Sequence, residues 1–415
     1  MRPTISRKSF ISLILILDFF ISINFMYTYR IPWSGYVKIP LFLLAGNVMS
    51  FNRTLYASKR LKRFVGVFLF VILLESIYST FKYKQEVSDV AKTSLSYLIL
   101  LNSFVYYSYF RYYEDYKIFL NKLVVIVMIM QALLFVQAFL FNSGITSVQF
   151  LKELFSSEAL NEFGAVHIRN GNLRCGQFHK YVYLVYFYSL YKMMNSKHSR
   201  TFRHTACVIL TFINEIYVGQ TRGSFTVFAA VTVLVVIVSL WNTKHEILVT
   251  IIICISMVAI ICGNVFEILY SSFIESDIDT VSIRFQAIQY YMGLLKESPI
   301  MGIGIIYPIQ GGRLDLWHLL YGPDLWHKFV YSDIGITGAI AQFGGLSIFL
   351  FIKLFFDMIH ATYRCLIKKK MFIFAFGFTL YCLGTCTTLL ITIDEMPLVL
   401  GVYAMFFVCE ENQCA

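Results

Sequence analysis

Apolar runs close to twenty residues long recur from one end of this chain to the other, and that repetition leaves few folds open. A helix needs about twenty residues to cross the hydrocarbon core of a bilayer. Inside that core each backbone N–H and C=O must be satisfied within the protein, which restricts spanning segments to helices or closed barrels. The runs fall at residues 10–29, 35–51, 63–80, 94–112, 119–141, 179–194, 203–219, 224–241, 247–268, 329–356, 371–389 and 396–409. The chain is 58% hydrophobic and 14% charged, whereas a soluble domain carries about 25% charge. The expected fold is an all-α polytopic membrane protein, a bundle of about twelve transmembrane helices. No internal repeat and no Ser/Pro-rich linker interrupts it, so residues 1–415 read as a single integral membrane domain.

The cations set an orientation. Arg2, Arg7 and Lys8, the link Arg53/Lys59/Arg60/Lys62/Arg63, the link Lys192/Lys197/Arg200/Arg203 and the link Arg364/Lys368/Lys369/Lys370 all fall on one side if the spans alternate. Basic loops stay cytoplasmic, which puts both termini in the cytoplasm. Two long loops, 142–178 and 270–328, then face outward. The net charge of +11 is mostly this signal. A nucleic-acid partner would call for cations clustered on a soluble domain, and no such domain is present. The first span follows a short basic stretch, but bulky Tyr27-Thr28-Tyr29-Arg30 offers no cleavage site, so it reads as a retained anchor. Cysteine spacing suggests neither a disulfide framework nor a metal cluster, with Cys175 alone in an outer loop.

Charged residues inside the spans are few: Asp18, Glu75, Glu215 and Lys353. Such groups are costly in hydrocarbon and mark function by default. Asp18 and Glu75 can instead be bundle-facing carboxylates satisfied by Tyr, Ser or Asn neighbours, and Lys353 can snorkel. Glu215 stands below Arg222, where an ion pair or a shared polar pocket is expected. Tyrosines at span ends, among them Tyr106, Tyr107, Tyr109, Tyr112 and Tyr113, read as interfacial belts.

The loop 270–328 is the most distinctive segment, since polytopic proteins usually join their spans by short turns. Within it, Val281, Phe285, Ile288, Met292 and Leu295 recur at helical steps and predict an amphipathic helix to Glu297, lying along the membrane interface. Arg284 falls beside that stripe. Pro299 and the glycines after it should stop the helix and turn the chain.

Thr221-Arg222-Gly223-Ser224 opens a span from the outer side. Arg284 follows on the interfacial helix, then Pro299-Ile300-Met301-Gly302-Ile303-Gly304, His327, and Asp333-Ile334-Gly335-Ile336-Thr337-Gly338 before the next span. This order resembles the O-antigen polymerase and O-antigen ligase superfamily of bacterial envelope proteins over roughly residues 205–350. The resemblance implies a cytoplasmic-membrane enzyme working on the outer face. It would be a metal-independent glycosyltransferase without cofactor, acting on oligosaccharide linked to undecaprenyl diphosphate.

The reaction implied is polymerisation of repeat units into O antigen or capsular polysaccharide. A ligase that passes finished glycan to another acceptor, or a polysaccharide flippase or transporter, are the competing readings. Membrane lipid, a chain-length regulator and a flippase are the implied partners. Arg222 and Arg284 would grip the diphosphate, because guanidinium meets phosphate in forked geometry and stays charged. His327 would handle the acceptor proton. Lys328 follows it where the ligase-type pattern has a small polar residue, so His318 and Asp333 remain alternatives as base. Arg313, His318, Trp317, Trp326, Asp333 and Glu215 are the expected substrate-binding residues. The loop 142–178 and its edge add His167, Arg169, Arg174 and His179 as further glycan contacts.

Overall fold

The computed structural model describes residues 6–23, 38–51, 53–149, 166–169, 172–175, 180–195, 202–219, 222–240, 278–307, 314–323, 334–368, 371–386 and 395–408. Within them the protein is almost wholly helical. Its helices are α1 (Arg7–Ser22), α2 (Lys38–Phe51), α3 (Lys59–Tyr83), α4 (Val87–Leu95), α5 (Asn102–Tyr112), α6 (Tyr116–Asn142), α7 (Lys180–Asn195), α8 (Phe202–Asn214), α9 (Arg222–Leu240), α10 (Ile278–Glu297), α11 (Leu314–Tyr321), α12 (Gly335–Ile367), α13 (Phe372–Gly384) and α14 (Met396–Val408). A 3-10 turn (Ser96–Leu101) leads into α5, and a π turn (Glu215–Gly219) extends α8. One short hairpin, β1 (Val166–Arg169) and β2 (Asn172–Cys175), pairs antiparallel with Val166 opposite Cys175.

Helix starts follow local chemistry. Ser6 Oγ accepts from Ser9 N, Ser58 Oγ from Leu61 N and Asp115 Oδ1 from Lys117 N, each satisfying an orphan donor of a first turn. Every expected span except 247–268 carries helix; that one lies outside the described residues. The span expected at 329–356 begins at Gly335 and runs on to Ile367. Among the described residues, α3, α6 and α12 are long and apolar enough to cross a membrane, and α2, α9, α13 and α14 are shorter apolar helices.

Burial sorts these helices into centre and rim. All of α13 is buried, as is Lys180–Leu190 of α7, and a helix buried all round belongs in the middle. α13 packs against α7, α9 and α12. Rim helices show the reverse of a soluble surface. On α3, Val67, Phe70, Leu73, Ile77 and Phe81 form an exposed apolar stripe opposite buried Phe64, Phe68, Val71 and Ile72. α12 does the same with Phe349, Ile352 and Phe356. Continuous apolar faces of this kind suit lipid and not water.

The expectation for the tyrosines changes. Tyr106, Tyr107 and Tyr109 are fully buried and belong to the core, not to an interfacial belt. Buried acceptors draw them in: Tyr106 OH donates to Asp18 Oδ2 at 2.8 Å and to Leu15 O at 3.1 Å, and Tyr109 OH donates to Glu114. Asp18 therefore has the hydroxyl partner expected of a bundle-facing carboxylate. Lys353, its side chain part-exposed, pairs with Asp357 one turn further along its own helix toward the basic α12–α13 link, as snorkelling allows.

The predicted amphipathic helix exists as α10, and its packed face comprises Ala287, Tyr291 and Leu294 together with Ile288 of the expected stripe. That face overlaps the expected stripe, in which Phe285, Ile288 and Leu295 are half-buried, but it centres on Tyr291 and not on Met292. Tyr291 decides the rotation, because its ring is buried and its OH donates to Leu320 O at 2.7 Å. Met292 is left exposed. α10 and α11 share a small second core with Ile303, Ile306, Ile334 and Ala341.

Candidate functional site

The glycine-rich segment after α10 does more than turn the chain. It threads between α3 and a break in α12. Ile303 N donates to Ala341 O at 2.9 Å, Gly304 N to Gln342 O at 2.7 Å, and Gly345 N to Pro299 O at 2.8 Å. The break is centred on Gly344, whose φ of 60° and ψ of −154° interrupt the helix. The loop's backbone thus replaces hydrogen bonds that the helix forgoes, the usual condition for irregular backbone deep in a membrane protein. On the other side, Ser79 Oγ accepts from Ile305 N at 2.7 Å. Gln85 donates to Ile305 O and accepts from Tyr307 N, both at 3.0 Å, while Tyr78 OH donates to Ser298 Oγ at 2.7 Å.

Glu75 lies beneath this loop, fully buried. Both its carboxylate oxygens are without a hydrogen-bond partner among the described residues. Asp18 has a hydroxyl partner in Tyr106, whereas Glu75 has none among the described residues. A Cβ on Gly304 would come within 2.2 Å of Ser79 Oγ and 3.4 Å of Glu75 Oε2, so the loop is pressed directly onto this face of α3.

A cleft of about 190 Å³ opens beside the loop, lined by Lys82, Tyr83, Glu297, Gly302 and His318 among others. His318 is exposed on α11, which is held in place where Tyr290 OH donates to the His318 carbonyl at 2.9 Å. Arg284 is exposed near the start of α10. It falls within about 20° of Tyr291 on the helical wheel, so it continues the protein-facing line of α10 beyond the packed region.

A second polar group sits where α7, α9, α13 and α14 end or begin. Lys180 is buried, its ammonium donating to Thr385 and lying 4.6 Å from the Tyr381 ring centre. Its backbone N–H donates to the carboxylate of Glu395, which is also buried. Tyr381 packs against Tyr183 with its ring tilted and the centroids 4.1 Å apart, and Tyr183 OH donates to Glu215 Oε2 at 2.7 Å. Ile336 N donates to Cys386 O at 2.7 Å, tying the start of α12 to this group. The hairpin joins it from outside, because Arg174 Nε donates to Gly219 O at 2.9 Å. Tyr183→Phe, which removes the hydroxyl from a buried carboxylate, is expected to cost about 1–3 kcal/mol. Thermal melting of the purified variant measures it.

The expected site residues divide accordingly. Glu215 is buried with Tyr183 as its partner; an ion pair with Arg222 cannot be drawn, because Arg222 heads α9 but its side chain lies outside the described residues. The Trp317 side chain is likewise outside, although its backbone is in α11. His327, Trp326, Arg313, Asp333 and His179 all lie outside the described residues. His167 faces Arg174 and Arg169 faces Asn172 across the hairpin register. Lys180, Glu395 and Tyr381 were not singled out from sequence. Lys180 stands at a span edge, where snorkelling is the ordinary reading, and Glu395 stands between two spans. The four-tyrosine run Tyr181, Tyr183, Tyr186 and Tyr188 beside a lysine was the available signal.

No protein-family model matches the chain, and comparison with curated proteins finds no match either.

Proposed function

We propose that this protein polymerises undecaprenyl-diphosphate-linked oligosaccharide units into O antigen or capsular polysaccharide. It would act as a metal-independent glycosyltransferase on the outer face of a bacterial cytoplasmic membrane, within a bundle of about twelve spans with both termini inside. The observation that carries this reading is Arg284. It is exposed on the protein-facing line of a helix anchored through Tyr291 and the threaded loop to α12. An arginine so anchored is pre-positioned to receive an anionic group at the mouth of the bundle.

The donor's anomeric carbon is attacked by an acceptor hydroxyl while the lipid diphosphate leaves. Arg284, with Arg222 at the head of α9, meets the charge that builds on the departing diphosphate. Fixed donors aimed at developing charge are commonly the largest catalytic contribution. His327 takes the hydroxyl proton, with His318 and Asp333 as the other bases the sequence supplies. Arg313, Trp317 and Trp326 hold the glycan. Glycosyl transfer to a different acceptor, by a ligase, uses the same parts.

A flippase reading has one observation in its favour: α12 is broken beside Glu75, which meets no hydrogen-bond partner among the described residues. Broken helices and intramembrane carboxylates are typical of transport sites. Deleting the gene and running the cell's polysaccharide and lipid-linked fractions on a gel separates the three. Single-repeat products at the outer face are expected for a lost polymerase. Polymer stranded on its lipid carrier identifies a ligase, and units trapped at the inner face identify a flippase.

A further inference from the structure

The cleft beside the glycine loop is small, about 190 Å³, below the range of roughly 300–1,000 Å³ that takes a drug-sized ligand. Its polar lining comes from the ends of two helices and the side of a third. Lys82 and Tyr83 close α3, Glu297 closes α10, and His318 stands on α11. Lys82, Glu297 and His318 are exposed and Tyr83 is half-buried, so a ligand arriving from solvent can meet all four. The motifs that point to Arg222 and Arg284 do not include Lys82, Tyr83 or Glu297.

The cleft is built on fixed parts. Gly302 N donates to Ser298 O at 2.7 Å, the Gly302 carbonyl accepts from Tyr78 OH at 3.4 Å, and Ile303 N is bonded to α12. α11 is tied to α10 because Tyr290 OH and Tyr291 OH donate to the carbonyls of His318 and Leu320. The Lys82 ammonium lies 5.2 Å from the ring centres of both Tyr78 and Tyr83, and this attraction restrains a long side chain. Leu294, Leu316 and Leu319 give the cleft an apolar wall. A preformed cleft of this kind spares a ligand part of the cost of ordering its site.

The signs of charge select the occupant. A phosphate drawn to Lys82 would meet the Glu297 carboxylate, and a simple cation drawn to Glu297 would meet Lys82, so either is opposed by a like charge. A hydroxyl both donates and accepts. A neutral ring carrying several hydroxyls can therefore donate to Glu297 and accept from Lys82, while Tyr83 OH and the His318 imidazole serve in either sense. Its C–H faces suit the leucine wall. We propose that this cleft is a subsite for one neutral sugar ring of the glycan, held chiefly by Lys82 and Glu297. The subsite rests on glycan being the substrate, which the polymerase, ligase and flippase readings share.

The test uses the full-length protein in an uncharged polyoxyethylene detergent, because a maltoside would itself offer sugar. The probe is repeat-unit oligosaccharide prepared by partial hydrolysis of the host's own surface polysaccharide, titrated calorimetrically. Wild type is expected to bind it. Lys82→Ala and Glu297→Ala should each weaken binding about tenfold or more, as loss of a hydrogen bond to a charged group does. Glu297→Gln keeps an acceptor oxygen and should retain part of the affinity. Lys296→Gln changes an exposed neighbour outside the cleft and should leave binding unchanged. Thermal melting checks that each variant is folded. Absence of oligosaccharide binding, or wild-type affinity in folded Lys82→Ala and Glu297→Ala, overturns the proposal. So does displacement of the oligosaccharide by short-chain phosphatidylethanolamine, which would assign the cleft to a zwitterionic headgroup. The gel of the deletion strain separates the two ways of failing. Altered glycan there with no effect of the cleft variants sinks the subsite alone, whereas unaltered glycan sinks the glycan reading and the subsite with it.

Discussion

Gly344→Ala is expected to leave almost no folded protein to purify. Gly344 has φ 60° and ψ −154°, a region that only glycine enters readily and that costs another residue about 1–3 kcal/mol. Space is a second obstacle. A Cβ there would stand 2.2 Å from Ile300 O and 2.6 Å from Gly302 N, both backbone atoms that cannot swing aside. Relieving the clash means withdrawing the loop, which gives up the bonds from Ile303 N, Gly304 N and Gly345 N. At about 1 kcal/mol for each bond, the whole effect reaches roughly 4–6 kcal/mol. That is at the far end of what single substitutions do and comparable to the entire stability of many domains. Gly302→Ala should behave the same way, since its Cβ would lie 2.4 Å from Ala341 O. Gly66→Ala is the control: its Cβ meets nothing within 4 Å, and Gly to Ala inside a helix gains up to about 1 kcal/mol. Yield of monodisperse protein after extraction, with its melting temperature, is the measurement. A Gly344→Ala protein that melts within a few degrees of wild type would show that the loop is not threaded through α12.

How far the sequence foretells this architecture depends on the range of the interaction. Helix positions are local and follow the apolar runs, so every expected span that falls on described residues carries helix, although 94–112 is divided among α4, the 3-10 turn and α5. The existence of α10 was legible too, because its period is carried by five apolar residues. Its rotation was not, since Tyr291 is buried only through an acceptor on Leu320, in another segment. Tyr106 and Tyr109 look like belt residues until Asp18 and Glu114 are known to stand opposite them. Pro299 to Gly304 announced a stop and a turn, which is local chemistry. That the turn fits a break at Gly344 depends on a second glycine some forty residues further on. Lys180 and Glu395 are still further apart in sequence and meet only because α7 and α14 both begin at the same end of the bundle. That Glu75 meets no hydrogen-bond partner among the described residues is likewise a property of the packed bundle.

Arg284→Ala is expected to abolish long-chain glycan while the protein stays folded in the membrane. Arg284 is exposed, and exposed positions away from caps and networks usually change stability by no more than about 0.5 kcal/mol. If the protein is the polymerase proposed above, its loss should instead fall on the transition state, where a leaving diphosphate gains charge. Removing one fixed donor from such a site costs about a hundred- to a thousandfold in rate, enough to collapse a ladder of polymer to its first rungs. Arg284→Lys should recover only part of the activity, because an ammonium is a point charge without the forked geometry that holds two phosphate oxygens. Arg222→Ala should give the same phenotype. If both arginines grip one diphosphate, the double variant should fall well short of the product of the two single losses, as groups acting on a shared partner do not add. The readout is the length distribution of surface polysaccharide on a gel, beside an immunoblot of the membrane fraction. Polymer of normal length and amount from Arg284→Ala would remove the guanidinium clamp, and with it the reason for placing glycosyl transfer at this end of the bundle.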